Sequence, residues 1–254
     1  MGILYICMLS SFLLLVLIPE GICMDIIDGK EAAPHSRGYM ASILDKRSIC
    51  GGTLIKQNWV LTAAHCKIRS SSVILGAHNI KQKEKEQQRF MVERAVTHPC
   101  FDYNSKVNDI QLVQLKGNAE LNKYVSVLNL PTSDQDLKAG TVCSVAGWGV
   151  TKPNGKESDV LREANITIVD RKACTKIYKK PVLITSSMLC AGPVKKRKDD
   201  TCQGDSGGPL ICGKNLSGIV SFGKVCGNPK KPSIYTRLTE KYLQWIKDVT
   251  GGAD

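Results

Sequence analysis

Beyond its opening stretch the sequence has no apolar run near the roughly 20 residues that a bilayer-spanning helix needs, and it has no internal repeat or low-complexity linker. No membrane span is therefore expected in the mature chain. Histidine is scarce, with four in 254 residues. His98 and Cys100 stand two apart, but no other cysteines supply the ligand spacing that structural zinc takes, so neither a metal nor any cofactor is expected. The chain is strongly basic, at a formal +12, yet it carries no basic helix, zinc-finger spacing or aromatic stacking motif. Specific nucleic-acid recognition lacks the features that accompany it.

What is present speaks first of compartment. Ile3 to Ile18 is apolar except for Ser10 and Ser11, and Pro19-Glu20-Gly21 ends the run. At about 16 residues it is too short for a bilayer-spanning anchor and reads as a secretory signal peptide, although it lacks a positive n-region. A secretory route makes disulfides the expectation. Of eleven cysteines, Cys7 and Cys23 fall in the leader, and the nine that remain cannot all pair within one chain. Sequons at Asn165-Ile-Thr and Asn215-Leu-Ser are glycosylation candidates on the same route. Removing residues 1–25 deletes Glu20 and Asp25 and no base, which raises the charge to +14. Lys195-Lys196-Arg197-Lys198 is the densest run, with Lys179-Lys180 and Lys230-Lys231 beside it, and a surface of this sign suits acidic proteoglycan.

The chemistry gathers in residues 200–210, Asp-Thr-Cys-Gln-Gly-Asp-Ser-Gly-Gly-Pro-Leu, where Ser206 lies between Asp205 and Gly207. A serine hydroxyl becomes a useful nucleophile only with a positioned base and with preorganised donors for the charge that develops on the substrate oxygen. Gly204 can leave its N–H unobstructed beside that of Ser206, so the two form a candidate oxyanion hole. The base candidate is His65, which closes the β-rich segment Trp59-Val-Leu-Thr-Ala-Ala-His-Cys66; His35, His78 and His98 are read as structural. Asp109 heads Asn108-Asp-Ile-Gln-Leu-Val-Gln-Leu115, whose alternation predicts a half-buried strand. On composition alone it is equally a turn residue before that strand. Further strands are expected over 73–77, 90–96, 142–148, 164–169 and 219–222, with the charged 81–89 stretch as a surface loop. Tyr242, Leu243, Trp245, Ile246 and Val249 suit an amphipathic helix over 239–249, stopped at Gly251.

Taken together these segments resemble the trypsin-like, chymotrypsin-fold serine proteases. Thr62-Ala-Ala-His-Cys66 matches the family's histidine motif, Asp109 its acid and Gly204-Asp-Ser-Gly207 its nucleophile turn, in the family's chain order. The likeness covers residues 26–249. It implies an all-β fold, two six-stranded antiparallel β-barrels with a C-terminal helix, in which His65 and Asp109 come from the first barrel and Ser206 from the second. It also implies the pairs Cys50–Cys66, Cys143–Cys212, Cys174–Cys190 and Cys202–Cys226, which leaves Cys100. Met24-Asp25 before Ile26-Ile27-Asp28-Gly29 resembles an activation site, with Asp28 where the family usually has glycine. Residues 1–23 are then the signal peptide, 24–25 the activation dipeptide and 26–254 the protease domain, and the freed ammonium of Ile26 pairs with Asp205. Asp200 matches the carboxylate at the base of the primary specificity pocket, with Ser221 and Gly223 on its wall, which implies cleavage after Arg or Lys. Asp199 competes for that role, but the spacing to Ser206 favours Asp200. Ser233 stands where the family ordinarily has glycine and is expected to narrow the pocket and touch Asp200.

Within the family, Pro34-His-Ser-Arg37, Leu75-Gly-Ala-His78, Leu121-Asn-Lys-Tyr-Val125 and Leu161-Arg-Glu-Ala-Asn-Ile-Thr-Ile168 resemble the granzymes. Cys100 matches the position that joins two chains in a disulfide-linked member of that group. The resemblance implies a secreted, granule-stored homodimer that cleaves protein substrates in cytotoxic-lymphocyte killing. Two alternatives accompany it: a monomeric granzyme of tryptic specificity, and a non-catalytic homologue that binds polyanions. The intact set of His65, Asp109 and Ser206 argues against the latter.

Overall fold

Closing a sheet on itself buries its inner face and removes its unpaired edges, and the strands form two such closures. A computed structural model describes residues 29–45, 48–68, 71–152, 155–178, 182–194, 200–228 and 230–251. The leader, the activation dipeptide with Ile26 and Asp28, Lys179-Lys180, the run at Lys195–Lys198 and Asp199 lie outside the described residues.

A two-residue strand, β1 (Lys30–Glu31), comes first. The first barrel follows with β2 (Met40–Asp45), β3 (Ser48–Lys56), β4 (Trp59–Thr62), β5 (Ser72–Leu75), β6 (Gln88–Thr97) and β7 (Gln111–Leu115). The order is β2-β3-β4-β7-β6-β5, antiparallel throughout, and the β2–β5 ladder closes it. Ile43, Leu54, Val60, Val73, Leu75 and Val113 fill its interior. Burying side chains of this kind contributes about 1.5–3 kcal/mol each.

The second barrel takes β8 (Val142–Gly147), β9 (Arg162–Val169), β10 (Met188–Pro193), β11 (Pro209–Cys212), β12 (Asn215–Phe222) and β13 (Ser233–Arg237). Its order is β9-β10-β13-β12-β11-β8, and the β8–β9 ladder closes it, with β1 added outside on β9. Val145, Ile166, Leu189, Leu210, Val220 and Tyr235 form its core. Helix α2 (Glu240–Thr250) buries Tyr242 and Ile246 among Trp59, Leu61, Ile110 and Leu112 of the first barrel and Leu216 and Ile219 of the second, so one helix face pins both. It ends at Gly251, whose φ of 85° is the left-handed stop that glycine adopts without a Cβ penalty. Among the described residues no helix is long and apolar enough to cross a membrane.

Four disulfides join Cys50 to Cys66, Cys143 to Cys212, Cys174 to Cys190 and Cys202 to Cys226, and Cys100 is free and exposed. Two local expectations need correction. The strand β7 is more deeply buried than its alternation suggested: Gln111 is buried and bonds Thr97 Oγ1 at 3.0 Å, because the strand lies between β4 and β6. A seven-residue helix, α1 (Arg171–Ile177), stands where no helix was expected, started by Asp170, whose carboxylate accepts from Ala173 N at 2.9 Å.

Candidate active site

The β4–β7 register sets the first half of the site. Thr62 faces Gln111 in an antiparallel ladder, so residues just beyond Thr62 meet those just before Gln111. His65 and Asp109 occupy those positions. Asp109 Oδ1 accepts from His65 N at 2.9 Å, and Oδ2 pairs with His65 Nδ1 at 2.8 Å. A carboxylate only accepts, so Nδ1 donates, and in the neutral imidazole the lone pair is on Nε2. Ser221 Oγ also donates to Asp109 Oδ2, and Thr236 Oγ1 donates to the Asp109 carbonyl at 2.9 Å. Asp109 has 0% exposure. Burial pushes its acidity toward the neutral form, but the hydrogen bonds and charge of His65 and the Ser221 hydroxyl outweigh that and hold it below the usual carboxylate range.

The second half is the turn before β11. Asp205 N bonds Cys202 O at 3.1 Å, Gly208 N bonds Asp205 O at 3.0 Å, and Gly207 N bonds Val220 O at 2.9 Å. Gly204 sits at φ 93°, a conformation that favours glycine. The turn docks on the first barrel where Gly51 N donates to Ser206 O at 2.8 Å. Gly51 follows Cys50, which is bonded to Cys66 beside His65. Ser206 and His65 are therefore held to the same short stretch of β3 from two sides.

Two further buried carboxylates flank this turn, both with 0% exposure. Asp205 Oδ1 accepts from Gly149 N and Oδ2 from Cys202 N, each at 2.9 Å. Its cradle requires glycine: a Cβ on Gly147 would lie 2.1 Å from Oδ1, and one on Gly149 2.5 Å from Cγ. Burial raises Asp205 to about 6, against the pull of those two N–H groups. Asp200 accepts from Ser233 Oγ at 2.8 Å, Thr201 N at 2.9 Å and Gly227 N at 3.0 Å. Burial dominates there as well and lifts it to about 7. The contact expected of Ser233 is thus present, and Gly223 adjoins it.

Other expected positions fall outside this cluster. His35 Nδ1 contacts Gly76 O at 3.0 Å, and His78 Nε2 pairs with Glu31 at 2.8 Å. The sequon residues Asn165 on β9 and Asn215 at the start of β12 are exposed. Cys100 belongs to a turn tied to the site, because its carbonyl accepts from Asn108 Nδ2 at 2.7 Å and Asn108 Oδ1 accepts from Tyr242 Oη at 2.7 Å. That tie was not anticipated. Nor was the turn of the Ser221 hydroxyl toward Asp109, a contact across 112 residues with no local signal. The Gly147-Trp-Gly149 pair was the one visible trace of the Asp205 cradle.

A serine in a tight turn, a histidine with a free Nε2 and a buried aspartate behind it make up the constellation of a serine hydrolase. The sequence matches the Trypsin family over residues 26–246, and the chain belongs to that family as a serine endopeptidase. It is 50% identical to Granzyme A of Bos taurus over 235 residues, covering 91% of this chain and 90% of the relative. It is 45% identical to Mast cell protease 3 of Ovis aries, covering 93% and 94%. Among solved structures, neuropsin, a serine protease expressed in the limbic system of mouse brain, aligns with a TM-score of 0.80 at 37% identity over 88% of this chain and 99% of that one. The chain is accordingly a protease of the granzyme type, acting on protein substrates.

Proposed function

We propose that Ser206 is the nucleophile, His65 its general base and Asp109 the group that orients the imidazole and stabilises its charged form. The observation that supports this most is the pair of hydrogen bonds from His65 to the wholly buried Asp109, which leaves Nε2 as the one basic ring atom. In the first step Ser206 Oγ bonds the scissile carbonyl carbon while its proton passes to His65 Nε2. The N–H groups of Gly204 and Ser206 receive the oxyanion, an arrangement in which one donor is worth roughly 3 kcal/mol. The imidazolium then protonates the leaving amine, and water, deprotonated by His65, releases the acid from the acyl-enzyme.

Asp200 forms the base of the primary pocket, and the enzyme cleaves after Arg or Lys. Activation removes Met24-Asp25, and the ammonium of Ile26 pairs with Asp205, whose buried charge is costly without a cation. The chain is secreted and stored in cytotoxic-lymphocyte granules, held there on acidic proteoglycan by its basic surface, and takes part in target-cell killing. Cys100 links two copies, and Asn165 and Asn215 carry sugar. The test is a protein that begins at Ile26, with Ser206→Ala as its control, assayed on arginine and lysine thioesters and on Phe and Ala counterparts. Turnover of the basic substrates that disappears in the control is expected. Preference for Phe or Ala overturns the Asp200 assignment, turnover surviving in the control overturns Ser206, and migration as a monomer on a non-reducing gel overturns the Cys100 linkage.

A further inference from the structure

Ser233 opens β13 and is almost wholly buried, with 4% of its surface exposed. Its hydroxyl donates to Asp200 Oδ1 at 2.8 Å, and the same oxygen accepts from Thr201 N at 2.9 Å. Asp200 Oδ2 accepts from Gly227 N at 3.0 Å. A carboxylate offers about four acceptor positions, so Oδ1 is filled and, among the described residues, the remaining position is on Oδ2. The hydroxyl adjoins the pocket wall as well, since a Cβ on Gly223 would stand 3.1 Å from Ser233 Oγ.

This arrangement treats the two basic side chains differently. A guanidinium secures a carboxylate by two parallel N–H bonds, one to each oxygen. With Oδ1 filled by Ser233 Oγ and Thr201 N, one arm of that parallel fork lacks its acceptor. An ammonium is a compact charge with three rotatable donors. It can give one proton to Asp200 Oδ2 and another to Ser233 Oγ, whose own proton is committed to Asp200 while its lone pairs remain. A buried donor left without an acceptor is what costs affinity, and here that cost falls on arginine.

We propose that Ser233 makes the Asp200 pocket selective for lysine over arginine at the residue before the scissile bond; the proposal rests on Asp200 being the base of that pocket. With peptide amides identical except for Lys or Arg, the active enzyme is expected to show a kcat/KM about tenfold higher for Lys. Ser233→Gly frees Oδ1 and is expected to raise Arg relative to Lys by about tenfold or more. Ser233→Ala also frees Oδ1 but keeps the Cβ and loses the acceptor, so Lys turnover falls and Arg gains on Lys, though by less than in Ser233→Gly. Should the variants fail to fold, the unaltered enzyme still answers: n-pentylamine is expected to inhibit several-fold more tightly than n-propylguanidine. Equal or Arg-preferring turnover, or an unchanged ratio in Ser233→Gly, overturns the proposal. Cleavage after Phe or Ala in place of both basic residues instead overturns the Asp200 reading beneath it.

Discussion

Asp109 in the first barrel and Asp200 with Asp205 in the second are equally hidden, each at 0% exposure, yet their acidities diverge. Asp109 lies below the usual carboxylate range, while Asp200 is raised to about 7 and Asp205 to about 6. Burial pushes all three the same way, so the difference lies in what burial is set against. Asp109 has the His65 imidazole at Nδ1, the His65 backbone N–H and the Ser221 hydroxyl. The other two have backbone N–H groups and, for Asp200, one hydroxyl, but among the described residues no cationic side chain is bonded to either. Asp109 is completed by the protein's own side chains, His65 of the first barrel and Ser221 of the second. On the proposed roles the second barrel's pair is completed from outside, by a substrate side chain and by a new N-terminus, so control enters through the second barrel.

The comparison breaks most visibly at Asp109. Asp109→Asn is expected to lower kcat on the order of 10⁴-fold, the size that a wrongly oriented imidazole costs in Ser-His-Asp chemistry. A fall of under about tenfold would remove Asp109 from the catalytic machinery.

Asp205→Asn should cost less, roughly 10²–10³-fold in kcat/KM, because it disorders the oxyanion donors and leaves nucleophile and base in place. The readout is the cleaved form against the uncleaved form. Substitution should lower the first to near the second, and equal activity of wild type and variant after cleavage would sink the pairing of Ile26 with Asp205.

The smallest effect is on stability, and its sign separates the two regions. Asp109, lowered when folded, contributes stability above the ordinary carboxylate range that is lost as pH falls through its depressed value. Asp200, raised from 3.8 to about 7, binds more protons folded than unfolded between those values, so its contribution declines as pH rises through that window. In a Ser206→Ala background the melting temperature of Asp200→Asn, relative to Asp200, should gain roughly 5 °C between pH 4.5 and pH 8. A difference that does not move with pH would show that Asp200 ionises freely when folded.

The turn at Ser206, the segment carrying His65 and the acid at Asp200 were legible because each lies in a short stretch that resembles a family motif, and their proposed roles rest on that likeness. Ser233 was legible for another reason: a hydroxymethyl where glycine is usual has to go somewhere, and the Asp200 carboxylate was within reach. Contacts between distant segments left no such trace. Nothing near Ser221 announces that its hydroxyl closes on Asp109 in the other barrel, and the β2–β5 and β8–β9 closures are matters of register that local alternation cannot express. Gln111 misled by composition, since an amide that finds Thr97 is tolerated where a polar residue normally signals solvent. Helix α1 is too short to display an apolar stripe, and its one sign was Asp170 before Arg171-Lys172-Ala173.

The strand β1 fixes the chain against β9 from its first residues. Gly29 O accepts from Arg162 at 3.1 Å, Lys30 pairs with Glu163 at 3.2 Å, and Glu31 pairs with His78 at 2.8 Å. The chain is thus moored from Gly29 onward, and on the proposed cleavage three residues, Ile26, Ile27 and Asp28, precede Gly29. Three residues reach roughly 11 Å at full extension. On the proposed pairing, the freed amine would be a ligand on a very short leash, offered to Asp205 at an effective concentration of order mM however dilute the protein is. Activation of the proposed kind is a local search whose equilibrium does not depend on how much enzyme is present.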